Sequence, residues 1–170
     1  MNPAPVEPLY VTSLDEIFWA GTLMAITMAM HGFGMLAVLR VNFAIKDRIG
    51  KKDGLILGIF PLIIASWIIM LVHLIEVAAW AAFFIWKGAF PNGSISYYFS
   101  LNEYTTVGSN FNLPVHWRLL EGMIATTGLL TFAWSTGILL SLAQEFQDQR
   151  TRLFQQRHLK KTSPKNNPGT

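Results

Sequence analysis

The chain of 170 residues contains no cysteine. Disulfides, thiolate metal sites and thiol nucleophiles are therefore excluded, and the redox compartment is left open. Charge is also scarce, at 14% Asp, Glu, Lys and Arg against 52% hydrophobic residues, which is too apolar for a soluble domain of this size. The apolar residues must meet lipid. Lys and Arg are missing from Met1 to Glu16, and the apolar run that follows exceeds the ~7 to 15 residues of a secretory h-region, so a cleaved signal is not expected. A Gly-rich phosphate loop, paired carboxylates in an aqueous cleft and a Ser/His/Asp arrangement are all missing, so no enzyme activity is expected. The first apolar run also lacks regularly spaced arginines, which argues against voltage sensing by that route.

Three long apolar runs are present. Ile17 to Leu39 holds a single ionisable residue, His31, and at 1.5 Å per residue it crosses a hydrocarbon core of about 30 Å. Leu55 to Trp86 is longer, interrupted only by His73 and Glu76, and needs tilt or an extension past the bilayer. Leu119 to Leu142 is the third, with its one charge, Glu121, near the start. Six tryptophans and twelve phenylalanines suit interfacial anchoring.

The net charge of +3 is concentrated in two flanking stretches, which reads as a topology signal rather than a nucleic-acid footprint, so no nucleic-acid partner is expected. Arg40, Lys46, Arg48, Lys51 and Lys52 surround the first connection, and Arg150, Arg152, Arg157, Lys160, Lys161 and Lys165 follow the third run. The positive-inside rule places both stretches in the cytoplasm. The expected map is an extracytoplasmic segment 1–16, a first transmembrane helix 17–40, a basic cytoplasmic loop 41–54, a unit over 55–142 and a basic cytoplasmic tail 143–170. The tail should continue the third helix into water before becoming disordered from Lys160 onward. The expected location is the cell membrane, with the amino terminus outside.

Within 55–142, the second helix covers 55–86 and the third covers 119–142. Between them, 94–105 reads as a polar-aromatic helix too short to cross a bilayer, followed by an irregular stretch. Non-helical backbone at membrane depth needs protein or a water-filled cavity around it, so the pattern predicts a re-entrant loop entering from outside. The fold class expected is an all-α membrane protein of three transmembrane helices with such a loop between the second and third.

The residues that carry function are His73 with Glu76, then Tyr98, Phe99, Ser100, Tyr104, Thr105, Thr106 and Gly108, then Trp117 to Leu120, then Trp134 to Thr136. In this order they resemble the potassium-channel pore domain, and more narrowly small bacterial ion-channel proteins. In those, an HxxE helix precedes YFSxxxYTTxGYGD, followed by WRLL and a WST-containing inner helix. The resemblance implies a pore helix at 94–105, a filter at 106–111 and an inner helix at 119–142. It further implies ion-binding positions at Thr105, Thr106, Val107, Gly108, Ser109 and Asn110, and a homotetramer around one axis. Backbone carbonyls in such a filter replace an ion's hydration shell, and Thr106 can add a hydroxyl. No cofactor or resident metal is implied; the transported species is a monovalent cation, potassium with sodium as a second permeant.

The chain departs from the family pattern at the outer end, where Gly108-Ser109-Asn110-Phe111 stands in place of GYGD. Ser109 removes an aromatic brace, Phe111 removes a carboxylate, and Asn110 is a residue that enters left-handed backbone readily. Weak discrimination between potassium and sodium follows. The alternative is a non-conducting, pore-like protein with a structural or regulatory role, which an outer mouth made apolar by Phe111 and Leu113 favours. A third reading is a subunit of a membrane oxidoreductase or transporter.

His73 and Glu76, three apart on one helix face, are an ionisable pair with a gating, proton-linked or metal role set against an internal brace to the pore helix. His31 reads as a neutral histidine bonded to a neighbouring helix. Gly128 is either a hinge or a site of close helix packing. Asn102 and Glu103 lie where hydrogen bonds behind the filter are expected, with Glu103 alternatively facing the outer mouth, and Glu121 pairs with Arg118 or with amides at the helix start.

Overall fold

The computed structural model describes residues 10–49 and 55–162. Expectations for residues 1–9, 50–54 and 163–170, including Lys51, Lys52, Lys165 and the end of the tail, lie outside the described residues. The chain folds as α1 (Leu14–Ile49), α2 (Leu55–Trp86), a short α3 (Gly93–Tyr104), a single 3-10 turn (Val115–Trp117) and α4 (Leu119–Thr162). Strands are absent among the described residues.

Local sequence explains where the helices start. Ser13 and Glu16 form a capping box, in which Ser13 Oγ accepts from Glu16 N and Glu16 Oε2 accepts from Ser13 N, both at 3.1 Å. α3 begins where the Asn92 side chain accepts from Ile95 N at 2.9 Å. α1 runs nine residues beyond Arg40, so Lys46 and Arg48 lie on its last turn rather than in a loop. α4 continues past Leu142 without a break and takes Lys160 to Thr162, expected to be disordered, into its last turn. At 44 residues it is about 66 Å long, roughly twice the ~30 Å thickness of a hydrocarbon core.

α1, α2 and α4 each contain a segment long and apolar enough to cross a membrane: Leu14–Arg48, Gly58–Trp86 and Val115–Gln156. In their most apolar windows only 28%, 22% and 28% is buried inside the chain, so most of the apolar surface faces lipid or further protein. α1 and α4 run parallel. Glu16 Oε1 accepts from Leu119 N at 3.2 Å at one end, and Lys46 Nζ reaches Glu145 Oε2 at 2.6 Å at the other. α2 packs antiparallel to both, and α3 is wedged against α2 and α4.

The core has two parts. One gathers Trp80, Phe83, Phe84, Phe90, Phe99, Tyr104, Trp117, Leu120 and Ile124 around α3; the other joins Met35, Val38, Ala65, Ile69 and Leu142. Leu113 belongs to the first part and is 3% exposed, so the apolar surface near the loop comes from other residues, among them Val107 and Phe111, the latter resting edge-on against Tyr98. That corrects the expectation for Leu113, whose backbone N donates to Glu121 Oε1 at 2.9 Å and turns the chain inward.

Candidate functional site

The polar groups of the apolar helices converge on one buried junction. His31 comes from α1, His73 and Glu76 from α2, Tyr104 from the last turn of α3, and Thr131 and Ser135 from α4. Each is less than 9% exposed. His31 Nδ1 lies 2.9 Å from Glu76 Oε1, and Tyr104 donates its phenolic proton to Glu76 Oε2. His73 Nδ1 is 3.0 Å from the Tyr104 hydroxyl and 3.4 Å from Glu76 Oε2. Ser135 Oγ meets both Nε2 atoms, His73 at 3.1 Å and His31 at 3.2 Å, while Thr131 Oγ1 is 2.5 Å from the Tyr104 oxygen. An ionisable group in an apolar helix costs free energy unless its partners are supplied, and here every helix supplies one.

His31, His73 and Glu76 offer donor atoms that all lie within 4.8 Å of one another. In this structure those atoms hydrogen-bond to one another, to Tyr104 and to Ser135. Beside the junction is a cavity of about 330 Å³ whose wall includes Ser66, Met70, His73, Tyr104, Phe132 and Ser135.

The loop after α3 has an unusual backbone. Thr106 has φ +61° and Gly108 φ +81°, both left-handed, and for a β-branched residue such as Thr106 this conformation is strained. Asn110 does not take the left-handed turn expected of it. The turn falls earlier because the backbone N–H groups are pulled back onto α3. Thr106 N donates to Glu103 O at 2.9 Å, Val107 N and Gly108 N to Asn102 O at 2.9 and 3.3 Å, and Ser109 N to Glu103 Oε1 at 2.9 Å.

A trans peptide holds its N–H and C=O on opposite sides. The carbonyls of Thr105, Thr106, Val107 and Gly108 therefore face away from α3, and none accepts a hydrogen bond among the described residues. Thr105 Oγ1 turns back to Leu101 O at 2.8 Å, whereas Thr106, Val107, Gly108 and Asn110 are exposed, Val107 at 74%. Ser109 is half-buried, and its Oγ accepts from Phe111 N at 3.1 Å.

Thus the junction and the loop meet at Tyr104, whose side chain enters the first and whose backbone begins the second. Gly128 on α4 closes this arrangement from the other side, because a Cβ there would run into the Tyr104 backbone carbonyl. Its missing side chain serves close packing. Glu103 bonds behind the loop, and burial pushes its carboxyl above the usual carboxylate range against the opposing pull of the Ser109 amide. Asn102 supplies the carbonyl for Val107 and Gly108. Glu121 bonds to Leu113 N, with no ion pair to Arg118 among the described residues.

Two contributors escape a reading by composition alone. Thr131 looks like an ordinary small residue of an apolar helix, and only its spacing of four from Ser135, within the Trp134 to Thr136 element, marks it as a partner for buried groups. Glu16, fully buried, was legible as the last member of a Ser-x-x-Glu capping box, but its bond to Leu119 is not written in any local pattern. A scan for protein families, a search of curated proteins and a search of solved structures each find no match to this chain.

Proposed function

We propose that the chain is a subunit of a potassium-channel-like cation pore, with Thr105 to Asn110 as its filter loop and α4 as its inner helix. The observation that carries this reading is the row of four successive carbonyls, Thr105 to Gly108, turned to one side by amides that bond back to α3 and Glu103. Such a row replaces the hydration shell of a monovalent cation, and the strained Thr106 has a purpose if its carbonyl must join the row. Supporting it, α3 is a short helix inserted between two long apolar ones, so its carboxyl end aims partial negative charge at the space below the loop.

One chain provides a quarter of an ion cage, and the reading therefore includes a homotetramer, re-entry of α3 and its loop from the outer side, and a cytoplasmic carboxyl terminus. The exposed face of α4, including Thr126, Leu129, Thr136 and Gly137, is free to line a cavity or touch a second copy. With Ser109 held by Glu103 instead of a tyrosine brace, the outer end has one carboxylate behind it and none in front. Weak discrimination between potassium and sodium is the expected consequence.

The test is ion flux from liposomes holding purified protein, comparing potassium, sodium and a large organic cation, with Gly108→Asp as the control. Flux of both small cations that the substitution abolishes is expected. A tetramer that passes neither ion would overturn conduction and leave an assembly or regulatory role.

A further inference from the structure

The buried junction is a closed ring. Glu76 contacts His31, His31 contacts Ser135, Ser135 contacts His73, His73 contacts Tyr104, and Tyr104 returns to Glu76: five contacts in all. Each contact needs one proton between its two heavy atoms. With Glu76 ionised and both imidazoles neutral, the ring holds only four: one on each imidazole, one on Ser135 and one on Tyr104.

Four protons cannot fill five contacts. Ser135 Oγ faces two Nε2 atoms with a single hydrogen, so if both Nδ1 atoms donate toward Glu76 and Tyr104, one Nε2 lone pair is set against the Ser135 oxygen. Rotating the donors only moves the gap elsewhere. The four-proton ring is also a net negative charge in a site that no Lys or Arg reaches by a hydrogen bond or ion pair among the described residues. The groups facing it are His31 from α1, His73 and Glu76 from α2 and Tyr104 from α3, while α4 presents only the hydroxyls of Thr131 and Ser135. A fifth proton fills the last contact and cancels the charge, whether it sits on an imidazole or on Glu76.

We propose that this ring is a binding site for one exchangeable proton, which completes a neutral five-proton cycle and locks α1, α2, α3 and α4 together at Tyr104. The proton belongs to the ring as a unit and moves round it through the Ser135 hydroxyl. Access is from the cavity at His73 and Ser135. Loss of the proton opens one contact and loosens the helix junction. A divalent ion on His31, His73 and Glu76 is disfavoured, because ligands of one tetrahedral ion stand roughly 3.3 Å apart at bond lengths near 2.05 Å. The His31 to Glu76 contact is 2.9 Å, and Ser135 occupies both Nε2 atoms. This inference concerns the junction alone and stands whether or not the chain conducts ions.

Glu76→Gln provides the test. Its amide carries fixed hydrogens: the oxygen accepts from His31, the nitrogen donates to Tyr104, Tyr104 donates to His73, His73 to Ser135 and Ser135 to His31. All contacts are filled with no titrating proton. As pH is raised, the melting temperature of the native chain in detergent should drop by roughly 3 °C or more relative to the variant, which shares every other titrating group. Parallel profiles would overturn the proposal.

A second measurement does not depend on the variant folding. At neutral pH the native protein should show either a doubly protonated imidazole among its histidines by ¹⁵N NMR or a buried protonated carboxyl band in the infrared. Neither signature, or one equivalent of a divalent metal retained through purification, would overturn it.

Discussion

Replacing Gly128 by alanine isolates the contact on which both the junction and the loop depend. An added Cβ at this position overlaps the Tyr104 backbone carbonyl, with the neighbouring carbonyl carbon 2.9 Å away and the ring Cδ1 3.2 Å away. The obstructing atoms are backbone, so the clash is not relieved by a rotamer change. Overpacking of this kind costs about 1–3 kcal/mol. Alanine regains about 0.8–1.0 kcal/mol in helix propensity over glycine. Backbone obstruction puts the cost at the upper end of that range, so the net expectation is a loss of about 2 kcal/mol, a factor of roughly 30 in the folded-to-unfolded ratio.

Gly122 on the same helix is the internal control, because nothing lies within 4 Å of a Cβ placed there. Gly122→Ala should therefore keep the propensity gain and raise stability by up to about 1 kcal/mol. The assay is thermal or denaturant unfolding of the detergent-solubilised protein, wild type against each variant. Opposite signs at Gly128 and Gly122 are expected. A shift of the same sign and size at both would refute the close approach of α4 to Tyr104 and return Gly128 to the hinge reading.

Removing the Glu103 carboxylate by Glu103→Ala should speed amide exchange at Ser109 about fivefold or more, equivalent to a hydrogen bond of about 1 kcal/mol, with Glu103→Gln recovering most of the protection. Because burial raises the Glu103 carboxyl, the folded chain holds this proton more tightly than the unfolded one. Its contribution to stability is thus fully present below pH 4.5 and declines as pH rises through the elevated folded value, a slope that Glu103→Gln should flatten in melting curves. Glu16→Ala strips an acceptor from Ser13 N, Leu119 N and the Tyr10 hydroxyl together, and a loss of about 1–3 kcal/mol is expected by chemical unfolding, against no change for exposed Asp15→Ala.

Much of the architecture is legible in the sequence, because the helices follow from apolar run length and the short α3 from its polar-aromatic composition. Helix ends are less so. Arg40, Lys46 and Arg48 end the apolar run in the sequence, yet nothing in that stretch stops a helix, and α1 continues to Ile49. The pair His73 and Glu76 is visible as two ionisable groups on one face, but their partners His31, Tyr104 and Ser135 lie 28 to 62 residues away in the sequence, where no local period points. Asn110 was the residue with the propensity for a left-handed turn, and the structure uses Thr106 instead. Tertiary demand overrode local preference there, because the amides from Thr106 to Ser109 find their acceptors only on α3 and Glu103.

The bond from Glu16 to Leu119 and the contacts of His31 with Glu76 and Ser135 have a practical meaning for anyone trimming this chain. A two-helix version beginning at α2 would lose the acceptor for the first amide of α4 and strand Glu76 in an apolar wall with one histidine instead of two. The first helix is thus masonry shared with the rest of the building. Truncations should begin before Ser13, and a tag fused directly to Tyr10 should be set off by a spacer.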